Sequence, residues 1–288
     1  MSVVATRSSS DRRAPSNIGG RVALALTDGY LVARRNLVTL TRVPTVFIFE
    51  LVQPIMFVLL FRFIYANNIA NLPPALDYVQ FLMPGIFIQN AIFGATTTAV
   101  GLAEDMKTGI IDRFRSLPMA RSAVLLGRTT SDLAKNFLLV LIVVGIGYLV
   151  GFRFQNGFFA AIGVVALALA VGFTFSWAMA CIGLALKKVE AVQAASFTLI
   201  FPIVFVSSAF VPVAGMASFL QPIARHNPVT VWCNLARYLS IGDLGIIDFQ
   251  TKLPVDTFEG LLVKSIAWIV GLLLIFVPLA IRLYRRLD

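Results

Sequence analysis

Between Phe158 and Leu186 the chain carries no charged residue. A helix rises about 1.5 Å per residue and needs about 20 residues to cross roughly 30 Å of hydrocarbon, so this run is long enough to span a bilayer and too apolar to rest in water. Five further runs have the same character: Val43 to Phe61, Tyr78 to Ala103, about Asn136 to Phe152, Ala191 to Val211 and Ser265 to Ile281. The third and last spans in chain order, from about Asn136 and from Ser265, are the shortest, and Lys135 and Lys264 stand where their stems reach the interface while their ammonium groups stay in water. With 58% hydrophobic and 13% charged residues and a mean hydropathy of +0.86, the chain falls outside the range of soluble domains. The fold class expected is all-α integral membrane, with six transmembrane helices.

The net charge of +10 is a matter of topology rather than of nucleic-acid binding. Lys and Arg gather at the ends of apolar runs, not in a groove-sized patch with interleaved aromatics. Short basic loops stay in the cytoplasm. Seven cations precede residue 43, six lie from Lys107 to Lys135, Lys187 and Lys188 form a pair, and Arg282, Arg285 and Arg286 follow the last run, 18 in all. The opposite side has six: Arg62, Arg153, Arg225, Arg237, Lys252 and Lys264. The expectation is a multi-pass protein of the cell (plasma or inner) membrane with both termini cytoplasmic.

Residues 1–20, rich in Ser, Arg, Gly and Pro and without an apolar h-region, read as a flexible cytoplasmic tail, and residues 21–288 as a single transmembrane domain. From Arg21 to Arg42, Val22, Leu26, Tyr30, Ala33, Leu37 and Leu40 share one helical face and Arg21, Asp28, Arg35 and Arg42 the other, the pattern of an N-terminal interfacial amphipathic helix. Residues 212–264 are apolar but broken by Pro212, Pro222 and Pro228 into pieces too short to span, which suggests outer re-entrant half-helices between helices 5 and 6.

Local chemistry has little to stand on. The chain has no Gly-Lys pair and so no P-loop, a single histidine (His226), and no Asp-rich pair in a membrane helix to hold Mg²⁺ for prenyl transfer. Cys181 and Cys233 form neither a metal pair nor a disulfide framework and read as small packing residues. Glu50 is the one carboxylate inside a span. Two readings stand for it: a carboxylate paired with an interfacial cation, or a proton relay, the trace a proton-coupled secondary transporter would leave.

The stretch Glu104 to Lys135 is the long charged segment between spans two and three. Wound as a helix, Met106, Ile110, Phe114 and Leu117 fall within about 80° of one another with Glu104, Thr108, Asp112 and Arg115 opposite, and Pro118 ends the pattern. An amphipathic helix there offers an external ATPase a place to push. The run Asp112 to Leu133, following Glu104-Asp105 and Gly109, resembles the cytoplasmic loop of ABC-2-type exporter permeases of the daunorubicin/doxorubicin resistance group. Gln53-Pro54 with Phe57 and Phe61, Phe81-Leu82-Met83-Pro84-Gly85, and His226-Asn227-Pro228-Val229-Thr230 support the resemblance.

The resemblance implies a permease without a nucleotide site or other cofactor of its own, ATP and Mg²⁺ being held by two copies of a separate ABC ATP-binding subunit. It implies a second permease copy or a paralogue as mate, in the lipid bilayer. It makes the loop a cytoplasmic coupling helix between helices 2 and 3, with Glu104, Asp105, Gly109, Asp112, Arg113, Phe114, Arg115, Leu117 and Pro118 as the ATPase-coupling positions. It also implies that spans two and five line the path of a hydrophobic or amphiphilic drug, antibiotic or lipid moved outward. Gln89, Asn90, Phe93 and Thr97 on span two and Phe197, Phe201 and Phe205 on span five are the expected path residues. The same spans carry Thr96, Thr98, Ser196, Thr198, Ser207 and Ser208, and for each of these polar residues hydrogen bonding between helices is an equal expectation.

Overall fold

The computed structural model describes residues 44–65, 77–110, 121–243 and 255–286, and the regular elements among them are all helical. In chain order these are α1 (Pro44–Leu60), followed by a π-helical turn Phe61–Tyr65, α2 (Tyr78–Gly94), α3 (Thr96–Lys107), α4 (Arg121–Val150), α5 (Gly157–Leu186), α6 (Val189–Phe205), a 3₁₀ turn Val213–Gly215, α7 (Gln221–His226), α8 (Pro228–Ile241) and α9 (Phe258–Arg285). The tail 1–20 and the interfacial helix expected over residues 21–42 lie outside the described residues.

Among the described residues four helical stretches are long and apolar enough to cross a membrane: Tyr78–Lys107, Gly127–Val150, Gly157–Leu186 and Phe258–Arg285. The two other expected spans are shorter. α6 has 17 residues, and α1 has 17 before its π turn. The expected fifth span therefore stops at Phe205 rather than Val211. Pro202 has no N–H to give to Thr198, and the six residues after Phe205 turn instead of continuing the helix. Beyond them, Pro212, Pro222 and Pro228 punctuate two short helices and a 3₁₀ turn, as their spacing predicts.

α2 is the hub. All its residues but Gly94 are buried, against α1, α4, α5, α6 and α8. Small residues let the neighbours close in, which matters in lipid, where close packing replaces the hydrophobic drive between helices. A Cβ on Gly172 of α5 would stand 2.2 Å from Asn136 Nδ2 of α4, which donates to the Ala91 carbonyl of α2 at 3.3 Å. A Cβ on Gly183 of α5 would meet the Ala99 carbonyl of α3 at 2.6 Å. Facing outward are large apolar side chains: Val52 and Met56 on α1, Leu138 and Leu141 on α4, Phe158 and Phe159 on α5, and Leu274 and Ile275 on α9. In water such a surface is an aggregation hazard; in a bilayer it is the lipid face.

Candidate functional site

Gln89, Asn90, Phe93 and Thr97 lie within about 100° of one another around the α2–α3 axis. Phe93 meets α6 directly. Its ring centroid is 6.2 Å from that of Phe197 and 5.3 Å from that of Phe201, the latter edge-on. Phe201 stacks on Phe205 at 5.3 Å, and Phe205 contacts Phe57 of α1 and Phe210, so that the expected path residues Phe93, Phe197, Phe201 and Phe205 form one aromatic stripe. Phe201 and Phe205 are 40% and 43% exposed, whereas Gln89, Asn90 and Phe93 are buried. Asn90 Nδ2, Gln89 Oε1 and Ser196 Oγ are buried without a hydrogen-bond partner among the described residues.

Of the threonines of these spans, Thr98 bonds across to another helix, and Thr96, Thr97 and Thr198 bond back along their own. Thr98 donates to Asp132 of α4 at 2.6 Å. Thr198 bonds back to the Ala194 carbonyl at 2.8 Å, while Thr96 and Thr97 bond to the carbonyls of Phe93 and Gly94, also at 2.8 Å. The latter two hydroxyls compete with the helix ladder where span two breaks into α2 and α3, at Ala95.

The turn after α6 exposes backbone carbonyls that a helix would have paired, and three side chains collect them. Asn227 Nδ2 donates to Ile203 O at 2.6 Å and Val206 O at 2.7 Å, while its Oδ1 accepts from Val229 N and so caps α8. Tyr78 donates to Phe210 O at 2.9 Å. Arg237, on α8 and fully buried, donates Nε to Phe81 O at 2.9 Å, Nη1 to Ser208 Oγ and Asn234 Oδ1 at 3.0 and 3.1 Å, and Nη2 to Ser208 O and, at 3.2 Å, to Ala209 O. Its guanidinium carbon also sits 3.6 Å from the centre of the Phe81 ring. Gly85 makes room, since a Cβ there would stand 2.0 Å from Ala209 O. The motifs Phe81–Gly85 and His226–Thr230, distant in sequence, thus meet on one joint. Arg237, counted in the sequence among the charges of the outer side, is buried as an internal clamp. The signal was its place between apolar neighbours in α8, where a cation needs an internal partner. His226 ends α7, exposed, with Nδ1 2.9 Å from Pro222 O.

Glu50 Oε1 of α1 is 2.5 Å from Lys135 Nζ of α4. This is the paired carboxylate of the first reading, and it does not favour the proton-coupled alternative. Of the coupling positions, Glu104 and Asp105 lie on the last turn of α3, and Asp105 is 3.5 Å from Arg128. Helix α3 then stops: the ladder tightens as Gly109 N donates to Met106 O at 3.1 Å, and Gly109 adopts φ +70°, a left-handed conformation that glycine takes without strain. Met106 is therefore not on one unbroken helix with Ile110. Asp112, Arg113, Phe114, Arg115, Leu117 and Pro118 lie outside the described residues. No group of three or more metal-ligating side chains occurs among the described residues, and Cys181 and Cys233 are both buried and free.

Apolar helices with a lipid-facing surface, built around a buried hub and bearing an aromatic face between α2 and α6, define a polytopic α-helical membrane protein. Residues 28–240 match the family model described as ABC-2 type transporter. The chain belongs to that family. It is 28% identical over 281 residues to the daunorubicin resistance ABC transporter permease protein DrrB1 of Streptomyces coeruleorubidus, covering 93% of this chain and 94% of that one. It is 26% identical over 244 residues to the probable doxorubicin resistance ABC transporter permease protein DrrC of Mycobacterium tuberculosis, covering 82% and 80%. A putative transport permease, ycf38, of Cyanophora paradoxa is 26% identical over 221 residues, 73% of each chain.

Proposed function

We propose that this chain is the membrane half of an ATP-driven exporter that moves a hydrophobic or amphiphilic drug, antibiotic or lipid outward. The observation that carries the reading is the end-to-end match to a permease named for daunorubicin resistance. The aromatic stripe from Phe93 to Phe205 supports it, because phenyl faces beside the buried amides of Gln89 and Asn90 suit an amphiphile better than an ion. Two permease chains, identical or paralogous, pair across this face beside two ATP-binding subunits. Both termini and the Lys107 end of span two are cytoplasmic, the segment between α6 and α9 is external, and α7 and α8 are re-entrant half-helices. The partner ATPase holds ATP and Mg²⁺. Its closure tilts the coupling segment from Glu104 to Pro118 and shifts the spans against those of the mate, giving alternating access.

The test is to co-express the chain with its ATP-binding subunit and to measure hydrolysis and drug efflux in the purified complex. A Phe114→Ala/Arg115→Ala variant that still assembles loses at least about tenfold in efflux, the loss of roughly 1.4 kcal/mol of coupling. Full hydrolysis and full efflux in that variant would remove the coupling role from this segment.

A further inference from the structure

Arg128 does more than pair charges. It stands on α4, and its guanidinium lies directly on the backbone of α3: a Cβ on Gly101 would fall 1.6 Å from Nη2. From that seat it reaches three places at once. Nη1 is 3.5 Å from Asp105, at the last turn of α3. Nε is 3.4 Å from Asp132, one turn further along α4, and Asp132 accepts from Thr98 Oγ1 at 2.6 Å. Nη2 donates to Thr97 O at 3.2 Å, beside the break between α2 and α3. One planar, always-charged fork therefore joins both ends of α3 to α4. On another side the backbone of α3 is gripped by α5, since the Ala99 carbonyl leaves no space for a Cβ on Gly183.

The weak point lies just beyond this rod. At Gly94–Ala95 the ladder tightens, with Ala95 N donating to Ile92 O at 3.2 Å, and Thr96 and Thr97 turn their hydroxyls onto the carbonyls of Phe93 and Gly94. Mid-helix breaks of this kind absorb bending. A partly buried ion-pair cluster adds little net stability, because desolvation offsets the attraction. What it supplies here is orientation.

We propose that Arg128, seated on Gly101, is a positioning residue that makes α3 and α4 one rigid lever, so that displacement at the Lys107 end is delivered to the Phe93–Thr97 segment of the path. This inference rests on the exporter reading above. It assigns a transmitting role to a residue outside both the coupling positions and the path.

The experiment uses the whole complex with its ATP-binding subunit in lipid, on a Cys181→Ala/Cys233→Ala background, with spin labels at exposed positions. One pair, Lys107→Cys with Thr130→Cys, reads α3 against α4; a second, Lys107→Cys with Phe201→Cys, reads α3 against α6. In the unsubstituted lever the first separation stays within about 2 Å between the nucleotide-free and vanadate-trapped states, the size of ordinary helix shifts, while the second changes by more. Arg128→Gln, and independently Gly101→Ala, which keeps the charge and displaces the fork, broaden the first distribution toward about one helical turn of roughly 5 Å. A first separation that changes without any substitution, or one that stays narrow in both variants, overturns the proposal. A second separation indifferent to nucleotide tells instead against ATP-driven motion. The nucleotide-free comparison of the variants still decides the lever in that case.

Discussion

Arg237 donates to carbonyls, a hydroxyl and an amide rather than to a carboxylate among the described residues, and its energetics follow from that. The carbonyls of Ser208 and Ala209 belong to a turn buried in protein, where an unpaired acceptor costs about 1–3 kcal/mol. Arg237→Met is expected to destabilise the detergent-solubilised chain by about 3 kcal/mol, measured as a lowered midpoint of denaturant unfolding. Arg237→Lys recovers only part, since an ammonium group does not reproduce the fork. Gly85→Ala strikes the same joint sterically. The Cβ meets backbone oxygen rather than a movable side chain, and about 1–3 kcal/mol is expected to be lost. An unchanged midpoint in both Arg237→Met and Gly85→Ala would mean that this joint does not hold the end of α6. Glu50 was legible from its position: an intramembrane carboxylate near a boundary needs a cation. That the cation is Lys135 was not, because nothing in a sequence without its fold pairs α1 with α4.

At the scale of the element, length and apolar content carried most of the reading. α5 and α9 stand where unbroken hydrophobic runs required helices; α9 starts earlier than its apolar run, at Phe258, where the Thr257 hydroxyl caps it by accepting from Gly260 N at 3.1 Å, and continues past Ile281 to Arg285. What periodicity does not register is competition for hydrogen bonds. Span two reads as one helix from Tyr78, yet it breaks at Ala95, where Thr96 and Thr97 turn their hydroxyls onto the backbone carbonyls of Phe93 and Gly94. Span five reads as continuous to Val211, yet Pro202 and the donors from α8 end it at Phe205. The aromatic stripe was visible as a list of phenylalanines, but its contact with Phe57 depends on how α1 packs beside α6, and its continuity with Phe210 on the turn after α6. Transport is expected to fall severalfold in Phe201→Ala and in Asn90→Ala, measured as drug efflux per assembled complex. Wild-type efflux in both would leave the α2–α6 face as packing and move the path elsewhere.

For the whole molecule, the described helices are tied to one another at a few polar contacts. Asn227, Tyr78 and Arg237 clamp the carbonyls of the turn after α6, and the ionic contacts at Glu50 and Arg128 tie α1 and α3 to α4. On the exporter reading proposed above, force reaches this chain from outside it. The most direct test is transport by purified chain in liposomes, with doxorubicin as the fluorescent probe, under a proton gradient and under ATP, with and without the ATP-binding subunit. Doxorubicin is expected to enter the liposomes only when the ATP-binding subunit and ATP are both present outside; accumulation by the chain alone, driven by the proton gradient, would overturn the exporter reading.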